Sequence, residues 1–95
     1  MHGYILGRVL INDDKLYKTY ADKVPAVMTE LGGAYLARGG VCETIEGDLT
    51  LDRIVIVGFS NANTADKFHK SDLYAPLLNI RTSASESNIV IVEGL

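Results

Sequence analysis

The spacing of hydrophobic positions changes several times along the chain, and each change predicts an element. Gly3–Ile11 is β-branched, aromatic and short, which predicts a strand. Ile5, Val9 and Ile11 fall on one face, with Tyr4, Leu6 and Leu10 on the other, where Arg8 interrupts them. The period then lengthens. Leu16, Tyr17, Tyr20, Val24, Val27, Met28 and Leu31 recur at three- and four-residue spacing and form one apolar stripe on a helix. Asn12 or Asp13 caps it, Asp13 and Asp14 sit at the positive end of its dipole, and Gly32-Gly33 stops it. Pro25 predicts a kink rather than an end, because the stripe resumes in phase.

Residues 34–46 read as a long second strand with a bulge or bend at Gly39-Gly40, and Gly47-Asp48 turns the chain. Arg53–Phe59 is a third strand, almost continuously apolar. Ser60 or Asn61 caps a second helix with Ala62, Ala65 and Phe68 inward. Ser71-Asp72 caps a further short turn carrying Leu73, Tyr74, Leu77 and Leu78, irregular because Pro76 falls inside it. Residues 82–88 are polar and loop-like, and 89–92 form the last strand. The order β-α-β-β-α-β matches the split-βαβ, ferredoxin-like arrangement of the α+β class, with a four-stranded antiparallel sheet. The expected organisation is one domain over residues 1–95.

This pattern also predicts a partner. An antiparallel sheet with one solvated face alternates apolar and polar residues. Here the first, third and fourth strands are apolar at successive positions, yet two helices cover only one face. The other face spans on the order of 400 Å² in projection, which rivals the largest apolar patches on soluble monomers. No connection is long enough to cover it, so a homodimer packed sheet to sheet is expected.

Composition narrows the function classes. The chain is 47% hydrophobic, 22% charged and 7% aromatic, an ordinary globular balance. A net charge of −3, with the nine basic residues scattered, argues against nucleic acid or anionic membrane as a partner. Cys42 is the single cysteine, so no intrachain disulfide forms, which fits a reducing compartment. The first residues lack a basic n-region, and no apolar run approaches the roughly 20 residues of a membrane span. A cytoplasmic location is expected. No cofactor is expected either: there is no glycine-rich phosphate loop, no nucleophile elbow, and no metal motif, since His2 and His69 lie far apart in sequence.

The stretch from Gly32-Gly33 through Tyr35, Leu36, Arg38 and Gly39-Gly40, followed by Glu46-Gly47, Arg53, Phe59, Ala65, Phe68, Ser71, Tyr74 and Arg81, resembles the DUF1330 proteins of the dimeric α/β-barrel superfamily. The resemblance runs the length of the chain. It implies two ferredoxin-like protomers joining their sheets in one barrel, and it implies no particular reaction. Superfamily relatives include small monooxygenases, haem-degrading enzymes, isomerase-like proteins and ligand-sensing domains. Two positions depart from the usual pattern: Gly58 stands where an acidic residue often precedes the phenylalanine, and His69 where a tyrosine often follows Phe68.

Five residues are candidates for ligand binding in a cleft between sheet and helices: Arg38, Glu46, His69, Arg81 and Arg8. Arg38, beside the glycine pair, could hold a carboxylate or enolate, or it could pair with Glu43 or Glu46 and fix the bend. Glu46 could be a general base or a surface partner for an arginine. Arg8 interrupts an apolar face and so is a site residue or an inter-sheet ion-pair member. Arg81 could close the same cleft or complement a helix C-terminus. His69 could meet Asp72 three residues on, unless Asp72 serves as a cap. The expected activity is binding or transformation of a small anionic organic molecule. The competing expectation is a non-catalytic ligand-binding or structural dimer with the same charges used as ion pairs.

Overall fold

A computed structural model describes residues 2–95. Strand β1 (Gly3–Ile11) leads to helix α1 (Asp14–Glu30), then strands β2 (Ala34–Arg38) and β3 (Arg53–Phe59), helices α2 (Ala62–His69) and α3 (Ala75–Ala84), and strand β4 (Ser85–Glu93). The four strands form one sheet in the order β2-β3-β1-β4, with every neighbouring pair antiparallel. This is the ferredoxin-like α+β fold. No helix among the described residues is long and apolar enough to cross a membrane.

Local chemistry sets the boundaries. Asp13 caps α1, its Oδ1 accepting from the Leu16 backbone N–H at 3.0 Å. The helix runs through Pro25 to Glu30 and is capped at Leu31; Gly32 follows with a φ of +87°, the left-handed conformation that glycine adopts without a Cβ penalty. Asn61, one of the two expected caps of α2, accepts from Thr64 N–H at 2.8 Å. Tyr17, Val24 and Met28 on α1 and Ala65 and Phe68 on α2 bury the predicted stripes against Ile5, Val9, Val57 and Phe59.

Three expectations are corrected. The second strand stops at Arg38 instead of continuing to Glu46. Gly39 turns away with a φ of +72°, and β3 begins only at Arg53, so residues 39–52 have no strand opposite to pair with. They form an exposed connection with Val41, Ile45 and Leu49 facing outward, held at its end by Asp52, which binds the Val9 carbonyl and the Ile11 N–H. The region around Pro76 is a regular helix, because proline sits in the first turn of α3, where its missing N–H has no intrahelical acceptor to lose. Ser71 supports that start, its Oγ accepting from Tyr74 N–H at 3.2 Å.

The polar stretch 82–88 is also not a loop. Thr82 and Ser83 return their hydroxyls to helix carbonyls, Ser85 donates to the Arg81 carbonyl at 2.6 Å, and β4 starts at once. The full nine-residue length of β1 is available for pairing, from Ile11 opposite Ser85 to Gly3 opposite Glu93, and backbone pairing outweighs the polar side chains.

The two faces of the sheet differ as the alternation along β1 requires. Ile5, Gly7 and Val9 lie buried under the helices. Tyr4, Leu6, Arg8 and Leu10 point the other way, beside Ile54 and Ile56 of β3 and Val90 and Val92 of β4. No helix covers that face, and Leu36, Val90 and Val92 are 63%, 56% and 45% exposed.

Candidate functional site

Between the helix-covered face and the helices lies a cavity of about 50 Å³. That is several times the roughly 10–15 Å³ that one water needs. Its walls are mostly apolar, with Val9, Val55 and Val57 from the sheet and Val24 and Phe68 from the helices. Into this setting the fold directs three arginines, Arg38, Arg53 and Arg81, together with four tyrosines, Tyr17, Tyr20, Tyr35 and Tyr74.

Arg53 opens β3 and alternates with Val55, Val57 and Phe59, so it shares their helix-covered face. Its guanidinium carbon lies 5.4 Å from the Tyr17 ring centre, within cation–π range. The same guanidinium passes so close to Gly39 that a Cβ there would overlap it. Its Nε is buried with no hydrogen-bond partner. Arg81 projects from α3 and is 6% exposed, with its Nε donating to the Tyr74 hydroxyl at 3.3 Å. Arg38 ends β2 near solvent, donates to the Ala21 carbonyl and lies 5.0 Å from the Tyr35 ring centre. The ion pairs among the described residues are Lys18–Asp22 and Lys70–Asp66, both on exposed helix surfaces. Among the described residues, none of the three arginines meets a carboxylate within 4 Å and no carboxylate lines the cavity.

Three of the tyrosines, Tyr17, Tyr20 and Tyr74, form a connected layer. Tyr20 and Tyr74 share a hydrogen bond of 2.9 Å between hydroxyls, and Tyr17 packs on Tyr20 with ring centres 5.5 Å apart. Burial pushes the Tyr17 and Tyr35 phenols above their ordinary value of 10.0, opposed chiefly by Arg53 at Tyr17 and by Arg38 at Tyr35. Tyr20 is raised further, first by burial and then by Tyr74.

Of the five residues nominated from the sequence, the fold brings Arg38, His69 and Arg81 to the cavity. His69 is set against Tyr74, ring centres 5.9 Å apart, and makes no ion pair with the exposed Asp72. Glu46 is not brought to the cavity: it sits in the exposed 39–52 connection, away from Arg38. Arg8 lies on the opposite face, where Nε donates to Asn88 Oδ1 at 2.9 Å and Nη1 to the Thr50 carbonyl at 2.5 Å. Arg53 and the tyrosine layer were not nominated. The alternation Arg53, Val55, Val57, Phe59 carried the signal for Arg53, and the i, i+3 pair Tyr17 and Tyr20 carried it for the layer.

A sequence profile described as a domain of unknown function, DUF1330, matches residues 2–95. The chain belongs to the DUF1330 family. No curated protein matches it. Among solved structures, the DUF1330 chain is similar to a protein of unknown function from Rhodopseudomonas palustris, RPA0582, with a TM-score of 0.81, 17% identity, and 99% of this chain covering 82% of that one. SnoaB, a cofactor-independent oxygenase from Streptomyces nogalater, is similar at a TM-score of 0.68 and 10% identity, over 99% of this chain and 93% of that one. A dimeric ferredoxin-like protein of unknown function from Thermobifida fusca is similar at a TM-score of 0.60 and 13% identity, over 99% and 92%. At these identities the likeness is one of fold.

The raised phenols make a pH prediction. A native state that keeps these protons while the unfolded chain loses them is stable below the unfolded value of 10.0 and loses that contribution as pH rises above it. Tyrosinate absorbance followed against pH should therefore show Tyr17, Tyr20 and Tyr35 titrating above 10.0, with Tyr20 ionising only as the fold opens. Tyr17, Tyr20 and Tyr35 ionising near 10 in folded protein would contradict their burial.

Proposed function

We propose that this DUF1330 protein binds a small organic anion, a carboxylate or enolate, in the cavity between sheet and helices, and that it works as a homodimer. The observation carrying the first part is the trio Arg38, Arg53 and Arg81 around one apolar cavity with no carboxylate on its wall. Of the three, Arg81 is buried, Arg53 half-buried and Arg38 exposed, and withdrawing a guanidinium such as that of Arg81 from water without a counter-charge costs on the order of several kcal/mol. A bound anion offsets that cost, and the planar fork of donors suits a carboxylate. The apolar walls suit the hydrocarbon part of the same molecule.

In the competing reading, a non-catalytic or structural dimer, these charges are ion pairs; within one chain no carboxylate of the described residues lies within 4 Å of the three arginines, which favours the anion reading. Transformation of the bound molecule without a cofactor is a further step that this reading allows. The fold shared with a cofactor-independent oxygenase supports it only as precedent for the scaffold.

Support for the dimer comes from the uncovered sheet face, where Tyr4, Leu6, Leu36, Ile54, Ile56, Val90 and Val92 form an apolar surface around Arg8. A second copy packed on it removes this surface from water, and the dimeric relative of the same fold gives a precedent.

Two measurements test these parts separately. In a thermal-shift screen, short-chain and aromatic carboxylates should stabilise the wild type, and Arg53→Gln should weaken the best of them roughly tenfold or more, the loss of a charge-assisted hydrogen bond. Equal stabilisation of both proteins, or of neither, would count against the anion site. Sedimentation at micromolar concentration should give the mass of two chains, and Val90→Glu should shift it toward one. A folded single chain in the wild type would rule the dimer out.

A further inference from the structure

The hydrogen bonds on the helix side of the cavity have a direction. Arg81 Nε can only donate, so the Tyr74 oxygen accepts from it at 3.3 Å. Tyr74 keeps its own hydroxyl proton and is 3% exposed. Among the described residues, the acceptor within hydrogen-bond distance of that hydroxyl is the Tyr20 oxygen, at 2.9 Å. By distance either hydroxyl of the pair can donate. Tyr74 is the more deeply buried of the two, and the arrangement in which it donates, leaving the free proton on Tyr20, belongs to the inference drawn below. The Tyr20 proton then cannot point back at Tyr74. Tyr20 lines the cavity, so in that arrangement its proton is available to a ligand there. The chain Arg81 to Tyr74 to Tyr20 thus ends in a phenol O–H polarised by a buried cation. Burial raises the Tyr20 phenol far above its ordinary range, which keeps the donor protonated.

This donor differs in kind and place from Arg53 and Arg38. Those two come from the sheet strands β3 and β2 and carry full charge, as a carboxylate requires. Tyr20 comes from α1, is neutral, and is suited to an oxygen with partial negative charge, such as a ketone carbonyl or an enol oxygen. We infer that Tyr20 donates to a second oxygen of the ligand, so that the site prefers 2-oxo carboxylic acids over carboxylic acids lacking the oxo group. Tyr74 and Arg81 are the positioning residues of this donor. The inference rests on the anion-binding reading above and names its substrate class.

The test compares 2-oxoisovalerate with isovalerate, which share one carbon skeleton and differ by the oxo group, by titration calorimetry on the full chain. Wild type should bind the oxo acid roughly tenfold more tightly, the ordinary worth of one good hydrogen bond. Tyr20→Phe should abolish the preference while changing isovalerate affinity by less than about twofold, since only the second oxygen loses its donor. Tyr74→Phe, which keeps the Tyr20 hydroxyl but removes its orienting partner, should reduce the preference and serves as the readout if Tyr20→Phe does not fold. A merely structural role would lower both affinities together and leave their ratio unchanged. No preference in wild type, or a preference that survives in the variants, overturns the inference while leaving the anion site intact. If neither acid binds wild type, the anion site fails and the inference with it.

Discussion

The cavity depends on a missing side chain. Gly7 stands at the centre of β1, on the helix-covered face between Ile5 and Val9, and lines the cavity without a side chain of its own. Its neighbourhood is already tight on the β4 side, where a Cβ would come within 3.0 Å of Ile89 Cδ1. A void of about 50 Å³ is a minor cost, about 1 kcal/mol at the rate measured for cavities in protein cores. Arg81 beside it is the larger matter, because a guanidinium withdrawn from water without a counter-charge costs several times as much, while Arg53 is half-buried and Arg38 exposed. The fold tolerates an arrangement that packing alone would not select, and function is the reason to look for.

Each charged group in the cavity is held by something other than an opposite charge. Arg53 lies over Tyr17, Arg38 beside Tyr35 with a bond to the Ala21 carbonyl, and Arg81 against the Tyr74 hydroxyl. Aromatic faces and hydroxyl or carbonyl oxygens orient a cation without neutralising it. On the proposed reading, such a set is free to meet an anion. The arginine of the opposite face, Arg8, is likewise held by neutral oxygens, those of Asn88 and the Thr50 carbonyl, but it lies outside the cavity.

Much of the scaffold could be read from residue order. The alternation along β1, the α1 stripe, the Asp13 and Asn61 caps and the ferredoxin-like order follow from short-range rules acting within one element. The departures arose where a neighbour decided the outcome. The 34–46 segment has strand-like residues, but nothing pairs with it beyond Arg38, whereas the polar residues of 85–88 become strand because β1 lies alongside. Glu46 was drawn toward the cleft by that same overextended strand. Arg38, His69 and Arg81 come together only through the tertiary fold. Arg53 was readable in principle, since its parity with Val57 and Phe59 assigns it to the buried face, but a charged residue at a strand end is easily taken for its solvent edge. The direction of the Arg81, Tyr74 and Tyr20 chain has no sequence signature, because it depends on distances between helices.

The central claim is that the cavity is an anion site. The most direct measurement is a crystal structure grown in bromide, with the anomalous signal used to locate the ion. The account predicts a bromide peak inside the cavity in contact with the Arg53 or Arg81 guanidinium. A cavity without bromide, its arginines instead paired with carboxylates of this chain or of a second copy, would contradict it.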